Sequence, residues 1–177
     1  MEKEKLLEIK IRRETEKDYG TVYQLIKEAF ALAEHADGNE QDLVVSLRKG
    51  TAYIPELSLV AETDGELTGY ILFTKAKVGT RDVLVLAPLA VKPEYQRCGI
   101  GSRLVEEGHR IARKLGYQYC LVLGSELYYP QFGYVPAEQC GVVVPEGMPS
   151  VNFMAIKLDE EAEALSGEVI YAKEFGI

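Results

Sequence analysis

Gln96-Arg97-Cys98-Gly99-Ile100-Gly101 stands between an apolar run, Val83-Leu84-Val85-Leu86-Ala87-Pro88-Leu89-Ala90-Val91, and an amphipathic stretch. The run closes in Lys92-Pro93 and reads as a buried strand followed by a turn. Beyond the glycines, Ile100, Leu104, Val105, Gly108, Ile111, Ala112 and Leu115 share one helical face, with Arg103, Glu106, Glu107, Arg110 and Lys114 largely opposite. Strand, glycine-bearing loop and helix N-terminus together form an anion site. The first helical N–H groups have no partner within the helix, and the helix dipole adds positive potential there. Glycines remove the Cβ atoms that would hold a phosphate away from those donors. The segment therefore predicts a phosphorylated ligand.

Two common glycine loops fail on the residues their chemistry requires. A nucleoside-triphosphate loop needs Gly-Lys-Ser/Thr, whereas Gly101 is followed by Ser102-Arg103. A dinucleotide loop needs a third glycine where Leu104 stands. It also needs an acidic residue at the end of the next strand, where the chain reads Leu121-Val122-Leu123.

Gln96, Gly99 and Gly101 match the pattern Arg/Gln-x-x-Gly-x-Gly/Ala, and the segment resembles the pyrophosphate loop of GCN5-related N-acetyltransferases. A second element agrees with it. Tyr129-Pro130-Gln131-Phe132-Gly133-Tyr134 resembles the family's downstream Tyr-x-x-x-Gly-Phe, and it follows the strand Tyr119-Cys120-Leu121-Val122-Leu123. Nearly the whole chain is similar to the YhbS-type branch of that family. The similarity includes Glu40-Gln41-Asp42-Leu43-Val44, Gly69-Tyr70-Ile71-Leu72-Phe73 and Phe153-Met154-Ala155-Ile156-Lys157-Leu158.

Periodicity supplies the rest of the order. Leu6 to Arg12 alternates as a strand, and Thr15 with Asp18 forms a capping-box pattern before a helix reaching about Ala33. Residues 34–40 read as a polar loop. A short helix through Leu43, Val44 and Leu47 stops at Lys49-Gly50. Leu57–Glu62 and Leu67–Lys75 read as a hairpin closed by Asp64-Gly65. Further strands are expected near Val142–Val144 and Val151–Leu158, a short helical turn over Asp159–Leu165, and an extended piece at Val169–Tyr171. The resemblance implies an α+β acyl-CoA N-acyltransferase fold: a mixed, twisted sheet with a splayed central strand pair, flanked by helices. Residues 1–177 are expected to form one such domain.

Composition bounds the chemistry. Among 177 residues, 28 Asp and Glu against 20 Lys and Arg give a net charge of −8, which argues against a nucleic-acid partner and suits a cationic acceptor such as an amine. No apolar run spans a bilayer, and Met1-Glu2-Lys3-Glu4-Lys5 has no signal-like core behind it, so no membrane partner is expected. Three cysteines without disulfide or zinc spacing, and two histidines, favour a reduced cytoplasmic setting and no metal.

The resemblance implies acetyl-CoA as cosubstrate and transfer of its acetyl group directly to a primary amine of a small molecule or peptide. The diphosphate would rest on main-chain N–H groups of Arg97, Cys98, Gly99, Ile100, Gly101 and Ser102, flanked by Gln96 and Arg97. Pro88 inside the apolar strand marks a bulge or an edge. Past it, Leu89-Ala90-Val91 would offer backbone groups to the pantetheine arm and one oxyanion donor. Tyr129 matches the family's general acid. Cys98 at a helix N-terminus offers an alternative ping-pong nucleophile, but its place in the diphosphate cradle makes it a spacer. Glu28, Glu34, His35 and Glu126 are the candidate bases. A non-catalytic acyl-CoA sensor and transfer of a longer acyl chain stay open, as do the acceptor's identity and homodimer pairing through the last strands.

Overall fold

A computed structural model describes residues 7–33 and 36–177. Its strands are β1 (Ile9–Arg13), β2 (Tyr53–Thr63), β3 (Glu66–Val78), β4 (Arg81–Val91), β5 (Tyr119–Leu123), β6 (Val135–Pro136), β7 (Val142–Val143), β8 (Phe153–Lys157) and β9 (Gly167–Ile170). The helices are α1 (Tyr19–Phe30), α2 (Glu40–Arg48) and α3 (Ile100–Lys114). Sheet order is β1-β2-β3-β4-β5-β8-β6, with β9 pairing both β3 and β7. The β4–β5 and β7–β9 pairs are parallel and the others antiparallel. A parallel neighbour requires a crossover, and α3 supplies it between β4 and β5.

The expected hairpin is present. Thr63 pairs with Glu66 across Asp64-Gly65, whose φ values of 52° and 78° are the left-handed pair that a tight two-residue turn demands. Side chains along β3 alternate between faces. Ile71 and Phe73 join Leu84, Leu86 and Cys120 beneath Leu104, Val105 and Ala112 of α3. Tyr70 and Leu72 face the opposite side, where Val22, Ile26, Val44 and Leu47 of α1 and α2 cover them. Farther along that side, Val83, Val85, Leu121 and Phe153 pack beneath Ala137, Val142 and Leu165.

Two glycines let α3 lie close on the sheet. A Cβ at Gly108 would stand 2.2 Å from the Phe73 ring, and one at Gly69 would stand 2.8 Å from Ile100 Cγ2 and 2.9 Å from Leu104 Cδ1. This seat brings the N-terminus of α3 to the end of β4.

Four expectations shift. Thr15 and Asp18 bracket a 3₁₀ turn, Glu16–Asp18, and α1 begins only at Tyr19; Asp18 Oδ2 accepts the Thr15 N–H at 2.7 Å. The apolar stripe of α3 ends early, because Leu115 is the C-cap residue and is 44% exposed. Asp159–Leu165 forms one turn, closed by Ala162 N–H donating to the Asp159 carbonyl at 2.9 Å, and then extends so that Leu165 N–H reaches the Cys140 carbonyl at 3.0 Å. Leu6, expected in the opening strand, lies outside the described residues. No helix among the described residues is long and apolar enough to cross a membrane.

Candidate functional site

The site begins where two parallel strands separate. β4 and β5 pair at Leu84–Cys120, Val85–Leu121 and Leu86–Val122 only. Immediately after, the β3 register jumps from Phe73–Leu86 to Ile71–Leu89, so Ala87 and Pro88 together oppose Leu72. This is a β-bulge at a proline that has no N–H to give to a ladder. β4 continues along β3 to Val91, while β5 stays with β8 to its end at the Leu123–Phe153 pair.

Hydrogen-bond alternation decides which backbone groups face the gap. Lys92 N–H donates to the Thr68 carbonyl at 2.8 Å. In an antiparallel ladder the bonded pairs alternate, so Ala90 turns its backbone to Tyr70 while Leu89 and Val91 turn theirs away from β3. The Val91 carbonyl accepts from Gln96 Nε2 at 3.1 Å. The Leu89 N–H and carbonyl and the Val91 N–H are left for an extended, amide-bearing ligand. Ala90 is 2% exposed and its methyl packs in the core beneath α1 and α2, so it borders the gap without facing it.

The loop follows a 3₁₀ turn at Pro93–Tyr95. Arg97 (φ 64°) and Gly99 (φ 87°) are both left-handed. A Cβ on Gly99 would meet nothing within 4 Å, so its conformation, not space, calls for glycine. Gly99 precedes α3, and its carbonyl accepts the Arg103 N–H at 3.1 Å. The N–H groups of Ile100, Gly101 and Ser102 are therefore the unpaired donors of the first turn. Gln96, Arg97, Cys98 and Gly99 are exposed, while the Ile100 side chain is buried in the core. Cys98 Sγ is 3.6 Å from the Gln96 carbonyl and does not line the cleft below.

A cleft of about 970 Å³ opens between the parted strands, lined by Leu86–Leu89 on one side and by Val122–Ser125 with Tyr128 and Tyr129 on the other. Tyr129 opens the 3₁₀ turn Tyr129–Phe132, which Gly133 terminates at φ 105°. That geometry explains why this motif needs its glycine. The Tyr129 ring is 8% exposed, packed edge-on to Tyr128 and Tyr134 at centroid distances of 5.1 and 5.5 Å. Among the described residues its hydroxyl makes no hydrogen bond. Burial raises its pKa well above the ordinary phenol value, so at neutral pH it holds a proton that it can donate.

Two neighbours escape sequence reasoning because no local pattern marks them. Gly124 lies against Tyr129, whose Cε2 would be 2.4 Å from an added Cβ. The Tyr128 hydroxyl reaches the first turn of α3, 2.6 Å from where a Gly101 Cβ would stand. Tyr128 thus spans from the turn bearing Tyr129 to the loop bearing the glycines.

The other end of the cleft is walled by α2, residues 146–149 and the C-terminal turn Lys173–Phe175, and contributes Glu40, Glu146 and Glu174. Of the candidate bases, Glu28 and Glu126 are exposed and do not line it; Glu126 accepts instead from Asn152 Nδ2 at 2.7 Å. Glu34 and His35 lie outside the described residues. Among the described residues, no three His, Cys, Asp or Glu side chains converge as metal ligands do.

Comparison with known proteins places this geometry. Residues 20–134 match the family model described as the acetyltransferase (GNAT) family. The uncharacterized N-acetyltransferase YjhQ of Escherichia coli K12 is 39% identical over 138 residues, covering 73% of this chain and 76% of that protein. The uncharacterized N-acetyltransferase YhbS of the same strain is 36% identical over 126 residues, covering 67% and 74%. The crystal structure of E. coli YhbS in complex with CoA superposes with a TM-score of 0.87 at 27% identity, covering 100% of this chain and 97% of that one. A GNAT family acetyltransferase from Brucella melitensis, in complex with acetyl-CoA, gives 0.80 at 29% identity over 95% and 98%.

Proposed function

Since this chain belongs to the GNAT acetyltransferase family and is an acetyl-CoA-dependent acyltransferase, we propose that it passes the acetyl group of acetyl-CoA directly to a primary amine of a small molecule or peptide, with residues 1–177 acting as one domain. The observation that carries the reading is the parting of β4 and β5 after Leu86 and Val122, which opens a cleft walled by Tyr129.

Each part of the cosubstrate has a counterpart. The diphosphate rests on the unpaired N–H groups of Ile100, Gly101 and Ser102, with Gln96, Arg97, Cys98 and Gly99 forming the exposed rim. The pantetheine arm pairs with the outward backbone groups of Leu89 and Val91 as a β-strand would. One of these N–H groups stabilises the oxyanion as the thioester carbonyl becomes tetrahedral. The amine lone pair attacks the carbonyl carbon, the C–S bond breaks, and the departing thiolate takes the Tyr129 phenolic proton. The acceptor nitrogen loses one proton and Tyr129 regains one, so the turnover yields the amide and free CoA. Cys98, on the cradle's outer rim, acts as a spacer.

Calorimetry with acetyl-CoA, run beside a free-thiol release assay against a panel of amines, tests the proposal. Tight binding with amine-dependent thiol release is the expected result. Binding without release from any amine would leave a sensor in place of an enzyme.

A further inference from the structure

We propose that the acceptor is an aliphatic di- or polyamine: the amine end of the cleft recognises a second cationic centre beside the reacting nitrogen. The inference rests on the acetyl-transfer reading above and adds the chemistry of the acceptor.

Five carboxylate side chains line the cleft, those of Asp37, Glu40, Asp42, Glu146 and Glu174, and among the described residues no Lys, Arg or His lines it. They come from separate segments: the loop before α2, the first turn of α2, residues 146–149 and the C-terminal turn. Helix-dipole compensation accounts for acidic residues at the start of α2, but not for Glu146 and Glu174. None of the five is in an ion pair among the described residues, where salt bridges elsewhere engage Glu14, Asp18, Glu56, Glu62, Glu66, Asp82 and Glu107.

Glu40 is the most informative of them. Its Oε1 accepts the Asp37 N–H at 2.8 Å, whereas its Oε2 is buried and has no hydrogen-bond partner among the described residues. A buried carboxylate oxygen without a donor is destabilising, and an ammonium would supply the donor. Between the carboxylates stand Phe30, Leu43, Met148, Tyr171 and Phe175. Charge alternating with apolar and aromatic surface matches ammonium groups separated by methylenes, and the rings add cation–π attraction. A neutral or anionic acceptor would leave the carboxylates without counter-charges. The chain's net charge of −8 further favours approach of a cation.

The test uses the full chain saturated with CoA and measures binding by calorimetry, with thiol release from acetyl-CoA followed in parallel. The probes are 1,5-diaminopentane, spermidine and n-pentylamine. The diamine and spermidine are expected to bind about tenfold or more tighter than the monoamine, an advantage that shrinks as salt rises to about 0.5 M. Glu40→Gln and Glu174→Gln should each weaken the diamine about fivefold and leave monoamine and CoA affinities unchanged. Should Glu40→Gln lose its fold by circular dichroism, Glu146→Gln takes its place. Equal affinity for diamine and monoamine, or carboxamide variants that bind the diamine as the parent does, would overturn the proposal. Selective diamine binding without thiol release would instead overturn acetyl transfer and leave the recognition intact.

Discussion

At the scale of single residues, the acid is the most exposed part of the mechanism to test. Tyr129 is buried against Gly124 and two other tyrosines, and that burial holds its phenol protonated. Tyr129→Phe removes one oxygen from a packed ring, so CoA affinity and thermal stability should stay close to the parent's. Turnover should fall about 100-fold or more, the usual worth of a positioned general acid. Equal turnover in a steady-state thiol-release assay would assign Tyr129 to packing. The role of Tyr129 was legible because its motif is local: a tyrosine, one short turn and a left-handed glycine, Gly133. Gly124, Tyr128 and the carboxylates Glu146 and Glu174 were not legible. Each acts through a contact between segments distant in sequence, and no spacing rule records such contacts. The search for a base illustrates the same limit. Glu28 and Glu126 have the right chemistry, yet both are exposed and neither lines the cleft.

At the scale of elements, the helix after the loop must be placed close and its first turn kept bare, and separate glycines serve these ends. Gly108 lets α3 approach Phe73, a ring fully buried in the core. Gly108→Ala puts a methyl 2.2 Å from that ring, so overpacking should lower stability by about 1–3 kcal/mol, read from the urea midpoint. Gly101 faces the Tyr128 hydroxyl instead, the outer end of a side chain and not the face of a core ring. Gly101→Val should therefore change stability little, while weakening CoA about tenfold by covering the first-turn donors. Calorimetry and denaturation on both variants should separate the two effects; a fall in stability with unchanged CoA affinity for Gly101→Val would contradict the cradle. The hairpin β2–β3, strand β4 and helix α3 follow from local periodicity and turn chemistry and were readable, whereas Pro88 was readable only as a bulge or an edge, and the β3 register decides for the bulge. β9 was readable only as an extended piece. Its pairing with both β3 and β7 is a long-range event in a four-residue strand whose alternate residues stay exposed. Leu115 shows the opposite error, where helical periodicity carried one residue past the last turn that packs on the sheet.

At the scale of the whole molecule, the folded state carries buried ionisable groups that the mechanism does not use, and they set its response to acid. His109 on α3 is 4% exposed, with Nε2 2.9 Å from the Tyr134 hydroxyl. Burial, with Arg113 nearby, lowers its pKa from 6.5 to about 4. The unfolded chain binds this proton near pH 6.5 and the native one only near 4, so the unfolded state holds more protons in between. The neutral ring's contribution is thus fully present above pH 6.5 and is lost as pH falls, about 3 kcal/mol by the time pH reaches 4. A second window lies lower. Arg12 donates to both carboxylate oxygens of Asp18 at 2.7 and 3.0 Å and holds its pKa at about 2 against 3.8. That stabilisation is present above 3.8 and is lost as pH falls towards 2. Urea midpoints should accordingly decline in two stages on acidification. His109→Gln, which can still bond the Tyr134 hydroxyl, should start from a lower midpoint at neutral pH and then run flat through the first stage. The second stage should be unchanged, because Asp18 stands at the start of α1 and makes its ion pair with β1. A variant that keeps the parent's slope between pH 6.5 and 4 would show that another group, not His109, takes up the acid-stage proton.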